Sequence, residues 1–267
     1  MSFIEKYIVE PFKYATSDWI KVLIGTLLGF FMICLDWALM LLLGPFSFIF
    51  ILGIDFFVSI VILGYYIGVI KNTLKGLDIL PDWSNIVELL TDGILYSIAL
   101  FILLLILSLP VIVLLIGGSF FIVGEIIGYS SYSDLWNILS FLSILAILLL
   151  LYIVVTSLVL WIYIPLATVN FAKKGFFGFF KIRDILKKIS LEYIGILLLY
   201  TLFYGIYSLI SPIILKIILA IFFLTLPPIA ILVLLVALLI ESIVIFVLGI
   251  MFYRAVAKYY REKELKN

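Results

Sequence analysis

Apolar positions run through this chain in long unbroken stretches, and polar residues collect in short islands between them. From 22 to 70 the sequence is almost wholly apolar, interrupted at Gly44-Pro45. At the α-helical rise that stretch is about 70 Å long, enough for two crossings of a roughly 30 Å hydrocarbon layer and a turn. The pattern predicts spans at 22–43, 46–70, 93–116, 138–168, 193–210 and 229–253. Pro110 falls inside the third as a tolerated kink. Residues 117–137 carry Glu125 and Asp134 without a basic residue and read as an outer loop. Residues 211–228 lie between prolines, include Lys216, and are short for a span, so they read as interfacial or re-entrant. A spanning β-barrel would need apolar and polar residues to alternate at period two, which these runs do not do.

Each pair of spans is preceded by a segment with an apolar stripe at helical spacing. The stripes are Ile4, Tyr7, Ile8 and Pro11, then Trp83, Ile86, Val87 and Leu90, then Ile182, Ile185, Leu186 and Ile189. They predict short amphipathic helices at 3–14, 83–92 and 179–190, lying flat at the cytoplasmic interface. Ser2 with Glu5 makes a capping box for the first, and Asp82 is an N-cap for the second. The span exits also rhyme: Tyr65, Tyr163 and Tyr253 each stand ten residues before a lysine. Two readings carry equal weight here, a weak internal repeat, or an aromatic belt combined with a basic bias on one side.

Composition agrees with the pattern. The 267 residues are 67% hydrophobic and 12% charged, with mean hydropathy +1.41, whereas a soluble chain is about half apolar and a quarter charged. In the six-span arrangement, sixteen of the seventeen basic residues fall on one side and Lys216 alone on the other. By the positive-inside rule both termini are then cytoplasmic, in a multi-pass protein of the plasma membrane. The first nineteen residues lack the basic start, apolar core and cleavage site of a signal peptide, so the first span serves as its own signal. The expected fold is an all-α integral membrane protein, one transmembrane domain over 1–267 with six helices as three hairpins.

Between the second and third spans lies the polar island GVIKNTLKGLDILPDW. Lys71 and Lys75 mark a cytoplasmic exit, Gly76 permits a turn, and Pro81, Asp82 and Trp83 start the next helix as a structural elbow. With IKVLIGTLLGF before it and ELLTDGI after it, this patch resembles an uncharacterised, largely archaeal family of multi-pass membrane proteins, domain of unknown function 4013. The matching positions are Gly64-Tyr65, Lys71, Gly76, Leu80-Pro81-Asp82-Trp83 and Asp92-Gly93, all within about the first hundred residues. Gly68 departs from a basic residue in the family pattern, and Ser84-Asn85 from a more acidic, aromatic one. The resemblance implies no activity.

Candidate chemistry is sparse. There is no histidine, the single Cys34 lies in an apolar run, and a net charge of +1 gives nucleic acid nothing to bind. No nucleophile, phosphate-loop or Cys-x-x-Cys motif occurs, so neither enzyme activity nor a metal or other cofactor is expected. Asp36, Asp55 and Glu241 lie inside spans, where a carboxylate is costly. They read either as one ion or proton site or as protonated carboxyls hydrogen-bonded between helices, the second being favoured because no basic residue shares their depth. Gly25 with Gly29, and Gly64 with Gly68, have the spacing that lets helices approach closely, here span one on span two or a second copy of the chain. Lys173, Lys174, Lys181, Arg183, Lys187 and Lys188, interleaved with four phenylalanines, suit anionic lipid headgroups. The expected partners are membrane lipids and either further copies of the chain or another membrane protein. The function these features suggest is a non-enzymatic structural, scaffold or accessory subunit, with a small transporter or channel using the three acids as the alternative.

Overall fold

In the computed structural model, residues 2–127, 132–225 and 227–265 are described, and no strand occurs among them. A π-helical turn, Glu5–Val9, leads into α1 (Glu10–Ala15). Then come α2 (Trp19–Leu43), α3 (Phe48–Lys75), α4 (Ile86–Ile127), α5 (Tyr132–Lys174), α6 (Ile182–Leu186), α7 (Leu191–Thr225) and α8 (Pro227–Leu265). Five continuous helical stretches are long and apolar enough to cross a membrane: Trp19–Lys75, Ile86–Phe120, Trp136–Lys174, Leu191–Ile218 and Ile231–Leu265. The first contains a break. Gly44 adopts φ 54°, a conformation open to glycine without strain, and Pro45 opens the 3-10 turn Gly44–Ser47 between α2 and α3.

Local sequence explains the helix ends. Asp18 caps α2, its Oδ1 accepting from the amides of Ile20 and Lys21 at 3.1 and 3.2 Å. Gly76 ends α3 in the left-handed region (φ 78°), and the Leu77 amide reaches back to the Asn72 carbonyl at 2.9 Å. The cap of α4 is Asn85 rather than the expected Asp82. Asn85 Oδ1 accepts from the Glu88 amide at 3.4 Å, and its Nδ2 donates to Glu88 Oε2 at 2.8 Å. Asp82 accepts instead from the Ser84 amide, inside the turn.

Several expected boundaries move. Residues 83–92 do not form a helix of their own, because from Ile86 they are the first turns of α4. The expected outer loop is helical up to Ile127 and again from Tyr132, its polar residues being too few to stop a helix; 128–131 lie outside the described residues. Residues 211–225 continue α7 straight through Pro212, and residue 226 lies outside the described residues. The 179–190 segment is broken into a 3-10 turn, Phe176–Phe180, and the five-residue α6. Only the N-terminal segment, helical from residue 3 to 15, has close to the expected extent.

The chain forms two compact units. The larger comprises Met1–Tyr96 and Pro165–Asn267. Within it α8 is the central element, packing against α1, α2, α3 and α7. The smaller, Ser97–Ile164, holds the later part of α4 and the earlier part of α5, joined by a hydrogen bond from the Tyr152 hydroxyl to the Leu107 carbonyl. There Gly118 lets the Phe141 and Leu145 side chains of α5 approach α4.

Candidate functional site

The polar residues of the larger unit gather where α2, α4 and α7 begin and α3, α5 and α8 end. Arg254 of α8 is at their centre and almost fully buried. Its guanidinium donates to Glu10 Oε1 at 3.2 and 2.6 Å, to Thr73 Oγ1 and the Leu77 carbonyl at 3.2 Å, and to Asp78. It also lies 4.2 Å from the Tyr14 ring centroid. Such a rigid fork offers five N–H donors to several acceptors at once, against three on a lysine ammonium. Lys258 adds a second contact to Glu10 at 3.3 Å.

One turn further along α8, Lys6 pairs with Glu262 and, at 3.1 Å, with Glu192 of α7. The Tyr7 hydroxyl donates to the same Glu192 at 2.7 Å, and Tyr200 donates to the Tyr7 carbonyl at 2.9 Å. Burial works to lower the Lys6 pKa, but hydrogen bonds to Glu262, Tyr7 and Glu192 outweigh it, so Lys6 is held above the usual lysine value. Burial pushes the Tyr7 and Tyr14 phenols up, and both remain neutral.

The elbow is part of the same assembly. Trp83 stacks on Tyr65 with centroids 4.1 Å apart and donates its indole N–H to the Lys21 carbonyl at 2.8 Å. Lys21 in turn donates to the Leu80 carbonyl at 3.0 Å, and Tyr14 to the Ile79 carbonyl at 2.8 Å. Pro81 lies against Gly68, where an added Cβ would stand 3.0 Å from the proline ring. Lys71 pairs with Asp92 at 2.6 Å and Glu88 at 3.2 Å, fastening the end of α3 to the start of α4. Trp83, the expected interfacial anchor of the elbow, docks on the protein, where Tyr65 and Phe246 offer it a ring surface. Tyr65 is itself buried, which removes it from an aromatic belt facing lipid.

The glycines expected to join span one to span two do other work. A Cβ on Gly25 would overlap the Phe246 ring of α8, one on Gly64 would lie 1.9 Å from the Leu89 carbonyl oxygen, and Gly29 faces open space. Gly93 reciprocates for Gly64, since its Cβ would stand 2.0 Å from the Ile60 carbonyl oxygen. The Gly64 and Gly93 pair therefore marks a backbone-to-backbone crossing of α3 and α4.

The three intramembrane acids divide. Asp36 of α2 and Asp55 of α3 are within electrostatic reach of each other, and on each the Oδ1 atom is buried without a hydrogen-bond partner among the described residues. Glu241 instead lines a groove of about 760 Å³ between α7 and α8, with Tyr207 and Ser211 as its polar neighbours and α1 at one end. Neither aspartate lines that groove. No cluster of three or more metal-binding side chains occurs among the described residues.

The expected headgroup lysines also separate. Lys173 pairs with Glu264, Lys188 with Glu264 at 3.2 Å, and Lys174 with Asp184 at 2.8 Å. Lys188 is buried, its ammonium 3.9 Å from the Tyr260 ring centroid. Lys181, Arg183 and Lys187 are exposed. Glu10, Asp78 and Arg254 were not singled out in the sequence. The available signal was the row Arg254, Lys258, Glu262 at i, i+4 spacing, which continues α8 past residue 253, the expected end of the last span.

A family described as "Protein of unknown function (DUF4013)" matches residues 46–223. The chain belongs to that family. The match reaches well past the first hundred residues in which the motif resemblance was concentrated. The chain is similar to two archaeal proteins of Methanocaldococcus jannaschii. Uncharacterized protein MJ0233 is 33% identical over an alignment 292 positions long, covering 99% of each chain. Uncharacterized protein MJ1189 is 31% identical over 226, covering 74% of each. No solved structure matches.

Proposed function

We propose that this DUF4013 protein is a non-enzymatic structural or accessory subunit of the plasma membrane, crossing it six times with both termini in the cytoplasm. The break at Gly44 supports six crossings. The stretch Trp19–Lys75 has 57 residues, about 85 Å of helix, too long for one passage but right for two. The basic bias supports the orientation, since the ion pairs found among the described residues of the larger unit join element ends that the six-span path puts on one side.

One observation carries the functional reading. The buried charge of the chain is spent on tying its own elements together, and the three intramembrane acids are split between two places. A transport site needs its carboxylates to converge on a common path near the middle of the membrane. The facing Asp36 and Asp55 favour the second reading, a small proton or cation transporter. Liposomes containing the purified chain decide between the two. The expected result is proton and potassium flux no greater than in protein-free vesicles. A flux present in the wild type and lost in Asp36→Asn, Asp55→Asn or Glu241→Gln would overturn the structural reading. Self-association belongs to the same proposal, and sedimentation in detergent that gives a monomer at all concentrations would remove it.

A further inference from the structure

The end of α5, α6 with the two lysines that follow it, and the end of α8 line an open polar cleft of about 480 Å³. Its lining is Lys173, Lys174, Lys187, Lys188, Asp184 and Glu264. Four ammonium groups face two carboxylates, leaving a net charge of +2 on the lining. Glu264 is shared by Lys173 and Lys188, and Asp184 is taken by Lys174. Lys187 is exposed and enters no ion pair among the described residues. We infer that this cleft binds a phosphate group, that of an anionic phospholipid headgroup.

Three features distinguish the cleft from an ordinary basic loop. The seat of Lys188 is built in advance. Tyr260, under the Lys188 ammonium, donates its hydroxyl to Asn170 Oδ1 at 2.7 Å, and Asn170 Nδ2 donates to the Gly178 carbonyl at 2.6 Å. Gly178 fits there because a Cβ would stand 2.5 Å from the Asn170 carbonyl oxygen. Second, the positive charge is crowded. Burial, assisted by Lys173 and Lys174, holds Lys188 below the usual lysine value even though Glu264 opposes the shift. A bound anion would relieve that crowding. Third, the segment that carries most of the lining also exposes apolar side chains. Phe177, Ile182 and Leu186 are 77%, 56% and 54% exposed, a surface suited to acyl chains and of no use to a free ion. This inference stands independently of whether the chain transports anything.

The test uses the full chain in detergent, titrated with short-chain phosphatidylglycerol, phosphatidylcholine of the same chain length, and inorganic phosphate. Phosphatidylglycerol should bind at least about tenfold more tightly than either of the others. Lys187→Gln, at an exposed position that leaves the ion pairs intact, should weaken it about fivefold, the effect of one basic residue near an anionic headgroup. Lys13→Gln, exposed and outside the cleft, should leave it unchanged. Binding unaltered in Lys187→Gln overturns the proposal, and so does an equal loss in Lys13→Gln, which would mean diffuse surface attraction. Inorganic phosphate binding as tightly as phosphatidylglycerol would overturn the lipid as its source.

Discussion

Arg254→Met is the sharpest test of how the larger unit is held together. The substitution keeps the length of the aliphatic stem and removes a buried guanidinium bonded to Glu10, Asp78, Thr73 and the Leu77 carbonyl. Removing one partner of a buried ion pair costs about 3–5 kcal/mol, because the other charge is left behind. Two features place the expected loss near the lower end. Glu10 keeps Lys258 at 3.3 Å, and the Asp78 side chain is 81% exposed, so water can replace its partner. A double-mutant cycle separates these legs. Arg254 with Glu10→Gln should show a coupling of about 2 kcal/mol, the range for a hydrogen bond to a charged group in a half-buried site. Arg254 with Asp78→Asn should couple by less than about 1 kcal/mol, as an exposed pair does. The assay is reversible unfolding of the purified chain in mixed micelles at rising SDS fraction, followed by far-ultraviolet circular dichroism. A loss for Arg254→Met below about 1 kcal/mol would refute the reasoning, and so would a coupling to Asp78 as large as that to Glu10.

Trp83→Ala should cost about 2–3 kcal/mol in the same assay, and Trp83→Phe, which keeps the stack on Tyr65 and loses the indole N–H, about 1 kcal/mol. Equal losses would mean that the hydrogen bond alone fixes the elbow. Gly64→Ala and Gly93→Ala should each destabilise by about 1–3 kcal/mol, since the atoms in the way are backbone carbonyls, whereas Gly29→Ala should stay within about 0.5 kcal/mol of wild type. Tolerance of alanine at both 64 and 93 would remove the close α3–α4 crossing. The Asp184 carboxyl is held below the usual range by its hydrogen bond and charge contact with Lys174, so its contribution is present above the ordinary value of about 4 and lost as pH falls through the lower folded value. The difference in Tm between wild type and Asp184→Asn should therefore close on acidification, and a difference unchanged down to about pH 3 would contradict the Lys174–Asp184 pairing.

The apolar runs and their breaks were legible in the sequence because a span leaves a composition signal twenty residues long. Gly44 and Gly76 act as the local pattern implies. Expectation failed where a boundary depended on a few weakly polar residues. The sequence 117–127 has glycines and a glutamate, yet nothing in it outweighs continuing the helix, and Pro212 removes one hydrogen bond without ending α7. The partners of the polar residues were not legible at all. Glu10 and Arg254 are 244 positions apart, and no local period reports such a meeting. The glycine pairs show the same limit. Their spacing announces close approach, but it does not say that Gly64 meets Leu89 rather than α2. For the acids, the equal depth of Asp36 and Asp55 about the Gly44 break was readable, while the separation of Glu241 depended on helix packing.

The 244-residue gap between Glu10 and Arg254 also sets a timetable. At a synthesis rate of about 5–20 residues per second, the N-terminal segment waits roughly 12–50 s before its anchoring arginine has been made. Throughout that interval Glu10 and Tyr14 have been made while their eventual ligand is still untranslated. Insertion of the early helices is thus uncoupled from their final locking, and the chain acquires its closed polar end in one late step. A ribosome stalled before α8 would leave every earlier helix in place and the clasp open.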